Sequence, residues 1–333
     1  MPAASNHDET LTRVRELSRA GAWTEALATL DHLAGVRTVE GVLLRAEALM
    51  RTGQERAALD WLLEHEALVA RTDGASAHRR ATNMMGAAAL ALGALDDAVA
   101  YFGRAVELAA DGDDQLVLAR ATNNLGTIAN MRGRHEDALA HYRLALPAFQ
   151  RLGQRRGLAA SYHNMAITYR DLSALDAAEE HERRAMDYAA DGVAPRLGAM
   201  GQVGRAEIAL RRGDARLAEL SARRAAADLA RLEDPQNEGD AWRLVGAACA
   251  AAGRAEDAAE AFDRALELAR RHGHVLNEAE CLRDRAGAHR RGNRHREAAE
   301  DARAAMTLFS RLGALREVEL LSPLLAEHRG DPG

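Results

Sequence analysis

The side chains able to do chemistry in this 333-residue chain are arginine, histidine, carboxylates and two cysteines; lysine is absent, because all 44 basic residues are Arg. A GxxxxGK[ST] phosphate loop and every Schiff-base mechanism require a lysine amine, so both are excluded. Cys249 and Cys281 are too few for a disulfide framework or a cysteine-based zinc site. His272 and His274 lie close in sequence but lack a third ligand, and His135 and His295 stand far apart. No metal site, cofactor or catalytic motif is therefore predicted, and the chain reads as a non-enzyme. The densest basic run is "HRRGNRHR", His289 to Arg296. On a chain of net charge −6 it reads as a solvated turn, and a nucleic-acid-binding role is disfavoured.

The elements that must carry these residues are helices. Ala and Leu dominate the apolar half of the composition, only 4% of residues are aromatic, and six Pro leave long stretches uninterrupted; strands would draw on β-branched and aromatic residues instead. Gly53, Gly93, Gly133, Ser173, Gly213, Gly253 and Asn293 recur at intervals of forty, each followed five residues later by an Ala, from Ala58 to Ala298. Small residues precede each turn by seven: Ala46, Gly86, Gly126, Ala166, Ala206, Gly246 and Ala286. Phe102, Tyr142 and Phe262 fill one bulky slot, which becomes Glu182, Ala222 and Ala302 in other repeats. This spacing predicts one helical hairpin per repeat, with the small residues where helices cross closely. A single hairpin cannot bury its apolar face, so the repeats must stack. Pro147 falls inside a second helix and should bend it.

A small residue, a turn Gly, an Ala, an aromatic and another Ala in register resemble the tetratricopeptide repeat from about Leu11 to Leu312. "ATNNLGTIANMRGRHEDALAHYRLAL" is most similar to the forty-residue variant of bacterial regulatory arrays. The resemblance implies an all-α, right-handed superhelical solenoid of about eight antiparallel hairpins, at about 10–36, 37–72, 76–112, 114–153, 155–192, 195–233, 235–273 and 275–312. A capping helix at 313–329 follows, with tails at 1–9 and 330–333.

In that family the first helix of each hairpin lines a concave groove. By register, the resemblance places Arg80, Asn83, Arg120, Asn123, Thr127, Asn130, His163, Ile167, Arg170, Glu207 and Arg243 along the groove, with Asp240, Glu280 and Arg283 beyond. Asn amides hold an extended backbone and Arg holds carboxylates bidentately, so the partner expected is a protein or peptide, with an acidic or C-terminal segment favoured. The function expected is a non-catalytic scaffold or regulator; the alternative is a small-molecule-binding accessory or tailoring protein of a biosynthetic pathway using the same groove. A homodimer is allowed. The N-terminus reads as no signal peptide and no run is long enough to span a membrane, so a cytoplasmic setting is expected, and the Arg-for-Lys bias points to a GC-rich, actinobacterial source.

Overall fold

The computed structural model describes residues 2–31, 38–71 and 75–326. Among these residues there are eighteen helices and no strand. They are α1 (Pro2–Arg19), α2 (Trp23–Asp31), α3 (Val39–Arg51), α4 (Glu55–Glu64), α5 (Glu66–Arg71), α6 (Ala75–Ala91), α7 (Leu95–Asp111), α8 (Gln115–Met131), α9 (His135–Arg151), α10 (Arg155–Asp171), α11 (Leu175–Ala189), α12 (Pro195–Arg212), α13 (Ala215–Arg231), α14 (Pro235–Ala251), α15 (Ala255–His272), α16 (Val275–Arg291), α17 (His295–Arg311) and α18 (Leu315–Ala326). The first helix begins inside the stretch expected as a tail. Residues 330–333, also expected as a tail, lie outside the described residues. The chain divides into two compact units, Met1–Ser161 and Tyr162–Gly333. Each is a stack of helix hairpins, the construction of an all-α helical-repeat solenoid.

The turn series explains the hairpins. Gly53, Gly93, Gly133, Gly213 and Gly253 have φ between 72° and 80°, and Ser173 and Asn293 adopt the same left-handed conformation at 59° and 58°. A second left-handed set joins one hairpin to the next, at Asp113, Gly153, Glu233, Gly273 and Gly313. Its residue types vary, which hid it in the sequence. Helix starts are fixed by side chains: Asp114, Asp214 and Asp234 accept from the backbone N–H three residues ahead, which satisfies otherwise orphaned donors. α9 continues through Pro147 from His135 to Arg151.

Packing follows the small-residue column. A Cβ added at Gly86, Gly126 or Gly246 would stand 2.6, 2.7 and 2.8 Å from the rings of Phe102, Tyr142 and Phe262. Those rings are fully buried, so each crossing exchanges a missing methyl for an aromatic worth about 1.5–3 kcal/mol of burial. Where the column carries Ala166, Ala206 or Ala286, the slot holds Glu182, Ala222 or Ala302. Glu182 is the outlier, a carboxylate only 1% exposed. Its Oε1 lies 2.8 Å from His163 Nδ1, and Gly204 makes room for its other oxygen.

Candidate functional site

The first helices of the hairpins carry the polar register, and the two units use it differently. In the N-terminal unit, α3, α6 and α8 enclose a pocket of about 190 Å³ whose polar lining is Glu47, Arg51, Arg80, Asn83 and Arg120, with Met50, Met84, Ala87 and Val117 forming its apolar part. Arg80 and Arg120 are exposed, and among the described residues neither makes an ion pair. Partial burial, and then the charge of Arg80, lower the Arg120 pKa. Asn83 Oδ1 is buried with no hydrogen-bond partner. The pocket thus has unspent donors on its guanidinium groups and an unspent acceptor on its amide.

Further along the N-terminal unit the register turns structural. Asn123, expected on the groove, is only 7% exposed; its amide oxygen accepts from Ser161 Oγ at 2.8 Å and ties α8 to α10. Thr127 lies beside it and donates to the Asn123 carbonyl at 3.4 Å. Asn130 is taken by the His135 ring at 3.0 Å.

In the C-terminal unit the same helices carry a chain of ion pairs. His163, expected to line the groove, instead turns into the core onto Glu182, which occupies the bulky slot of its hairpin. Ile167 is half-buried. Arg170 pairs with Glu207, although burial still lowers its pKa. Glu207 reaches Arg243 at 3.5 Å. Arg243, buried, also meets Asp240 at 2.5 Å and pairs with Asp284. Arg283 extends the chain to Asp284 at 2.9 Å and to Glu317 at 3.0 Å. Burial opposes the Arg243 charge, but Asp240, Asp284 and Glu280 outweigh it and raise its pKa well above the ordinary value. Glu280 has no such surplus: burial raises its pKa first, against the pull of Arg243. A larger cavity of about 580 Å³ on this face is lined by Arg283, Asp284 and Arg291 with Leu210 and small residues, yet Arg283 and Asp284 are already committed to each other.

Arg51 and Glu47 at the pocket, and Asp284 and Glu317 in the chain, were not among the expected site residues. The register could have found Asp284, which follows Arg283 directly, but not Arg51, which sits at the end of its helix. Both cysteines are buried. Burial pushes the Cys281 thiol up to about 12 and also raises Cys249, so both behave as small core residues. No described helix is long and apolar enough to cross a membrane.

Stacked hairpins with a shared first-helix face place the molecule among the helical-repeat solenoids. Within that fold, residues 117–191 match the family model described as tetratricopeptide repeat. Among solved structures, a Rap protein complexed with competence and sporulation factor is similar at a TM-score of 0.66 and 14% identity, covering 97% of each chain. The apo quorum sensor NprR from B. thuringiensis has a TM-score of 0.59 at 14% identity, covering 96% of each. Cut9 from an APC/C hetero-tetramer with Hcn1 reaches 0.66 at 16% identity, over 92% of this chain and 52% of that one. No curated protein sequence matches.

Proposed function

We propose that the protein is a non-catalytic scaffold or regulator that holds an acidic segment of a protein or peptide partner on its first-helix face, through the pocket formed by Arg51, Arg80, Asn83 and Arg120. The observation that carries this reading is the buried, unpartnered Asn83 Oδ1 beside two guanidinium groups without ion pairs. A carboxylate answers the guanidiniums bidentately, and a backbone N–H two or three atoms away answers the amide oxygen. An acidic peptide supplies both from one residue. The pocket's 190 Å³ is below the roughly 300 Å³ at which small-molecule sites begin, which favours a side chain over a free small molecule in this groove. The Rap structure complexed with competence and sporulation factor, and the NprR quorum sensor, give the same fold a regulatory precedent.

The test uses two eight-residue fluorescent peptides, one with alternating Asp and Glu and one with Asn and Gln in their place. The wild type should prefer the acidic peptide by about tenfold, equivalent to ~1.4 kcal/mol, and the double variant Arg80→Ala, Arg120→Ala should abolish that preference while leaving the unfolding midpoint in place. Equal binding of the two peptides by the wild type would remove the basis for the proposal.

A further inference from the structure

The basic run at the last within-hairpin turn has a structural setting that the first-helix face does not absorb. The turns after α14 and α16 flank a cavity of about 390 Å³. Its floor is apolar, built from Ala258, Phe262 and Ala288, all buried. Its rim carries Arg285, His289, Arg291 and Arg294. Arg285 is occupied: it holds Asp301 at 2.7 and 2.8 Å and Asp263 at 2.8 Å. Arg291 and Arg294 have no ion pair among the described residues.

His289 is the unusual member. Four other hairpins place Ala89, Ala129, Ala209 and Cys249 at this register, and two more carry Leu49 and Tyr169. Its Nε2 faces Asp301 at 3.5 Å, while its Nδ1 is buried with no partner. Burial, and then Arg294, lower the pKa of the imidazole. A neutral ring that turns its N–H toward Asp301 leaves Nδ1 as a bare acceptor. A buried acceptor left empty costs about 1–3 kcal/mol, and an alanine at this position, as elsewhere in the array, would carry no such cost.

We propose that this cavity is a binding site for a small organic acid, with its carboxylate on Arg291 and Arg294, its apolar body on the Phe262 floor, and one hydroxyl or N–H donated to His289 Nδ1. The volume falls in the range of small-molecule sites, about 300–1,000 Å³. The ligand class follows from the unspent groups: two cations require one anionic end, and one bare acceptor requires one donor. This site is separate from the pocket at Arg80 and Arg120, and each can fail without the other.

The probe is 4-hydroxyphenylacetate, compared by calorimetry with phenylacetate, which lacks the donor, and with 4-hydroxyphenylacetamide, which lacks the charge. Saturable binding of the hydroxy acid is expected, weakened about tenfold by loss of the charge and about threefold or more by loss of the hydroxyl. Arg294→Ala should erase the discrimination against the amide. His289→Ala, which restores the residue that other hairpins carry, should erase the discrimination against phenylacetate. Arg80→Ala with Arg120→Ala should leave all three affinities unchanged. Absence of saturable binding of the hydroxy acid up to about 10 mM (about −2.7 kcal/mol), or an affinity for it that either cavity variant leaves unaltered, overturns the proposal.

Discussion

One register, read across two units, carries opposite electrostatics. The column that holds Arg80 and Arg120 in the N-terminal unit holds Asp240 and Glu280 in the C-terminal unit, and the column of Asn83 and Asn123 becomes Arg243 and Arg283. In the C-terminal unit Arg243 and Arg283 each lie within reach of an acid, Asp240, Asp284 or Glu317, and their charges are neutralised within the chain. Arg80 and Arg120 make no ion pair among the described residues, although Glu47 lines the same pocket. The same backbone therefore supports a self-satisfied charge chain in one place and a pocket with unpaired guanidinium groups in another. Which of the two a hairpin provides is decided by a few side chains, and not by the fold.

The largest effect should come from breaking the satisfied chain. Arg243→Ala leaves Asp240, Asp284 and Glu280 facing one another with little solvent, and removing one partner of a buried ionic cluster typically costs about 3–5 kcal/mol. Urea unfolding should show that loss, whereas Arg120→Ala should change stability by no more than about 0.5 kcal/mol, since it removes an unpaired exposed charge. Similar losses in the two variants would contradict the contrast drawn between the units.

Next in size is a transplant. Arg80→Asp with Asn83→Arg copies the Asp240 and Arg243 pair into the pocket. It should cut acidic-peptide binding about tenfold, ~1.4 kcal/mol, with stability nearly kept. Undiminished affinity would show that the pocket's charge is not what the peptide meets.

The chain also predicts a pH signature. Burial raises the folded-state pKa of Glu280 above its ordinary 4.5, with Asp240 and Asp284 adding to the shift and Arg243 and Arg283 opposing it. A raised carboxylate favours folding below its unfolded pKa and loses that contribution as pH climbs through its folded pKa. Asp284 is depressed below 3.8 by Arg243 and Arg283, which together overcome burial, so its contribution is present above 3.8 and disappears as pH falls further. Glu280→Gln should therefore be more stable than wild type at pH 7 and lose that advantage on acidification toward pH 4.5. An advantage that grows instead as the pH is lowered would reverse the assignment.

Much of this architecture is legible in the residues because sterics write it in every repeat: only Gly and a few tolerant residues accept the left-handed turn, and only a missing Cβ admits Phe102, Tyr142 or Phe262. The joints between hairpins use Asp113 and Glu233 as well as Gly, so no single residue type announced them. Which helices carry the polar register was legible, but not what each side chain on them does. Asn83 and Asn123 occupy one register, yet Asn123 is captured by Ser161 and Asn83 is left unpartnered at Oδ1. That difference depends on a residue thirty-eight positions away, which periodicity cannot weigh. His163 likewise follows the fate of Glu182, nineteen residues on.

The smallest effect concerns the turns themselves. In the N-terminal unit Gly21, Gly53, Gly93 and Gly133 all take positive φ, while Ser173 and Asn293 do so in the C-terminal unit without being glycine. A left-handed conformation costs a residue with a Cβ about 1–2 kcal/mol, and part of the gain from installing Gly is lost to the freer unfolded chain. Ser173→Gly should thus stabilise by about 0.5 kcal/mol, and Asn293→Gly by less, because an Asn side chain tolerates this region. The reverse change, Gly93→Ser, should destabilise by a similar amount through conformation alone, since no atom lies within 4 Å of the added Cβ. Urea midpoints of the three variants check this together. A gain at Ser173 matched by a loss at Gly93 would establish that the two units share one turn geometry, whereas destabilisation by Ser173→Gly would mean that the serine hydroxyl supports the turn in a way glycine cannot.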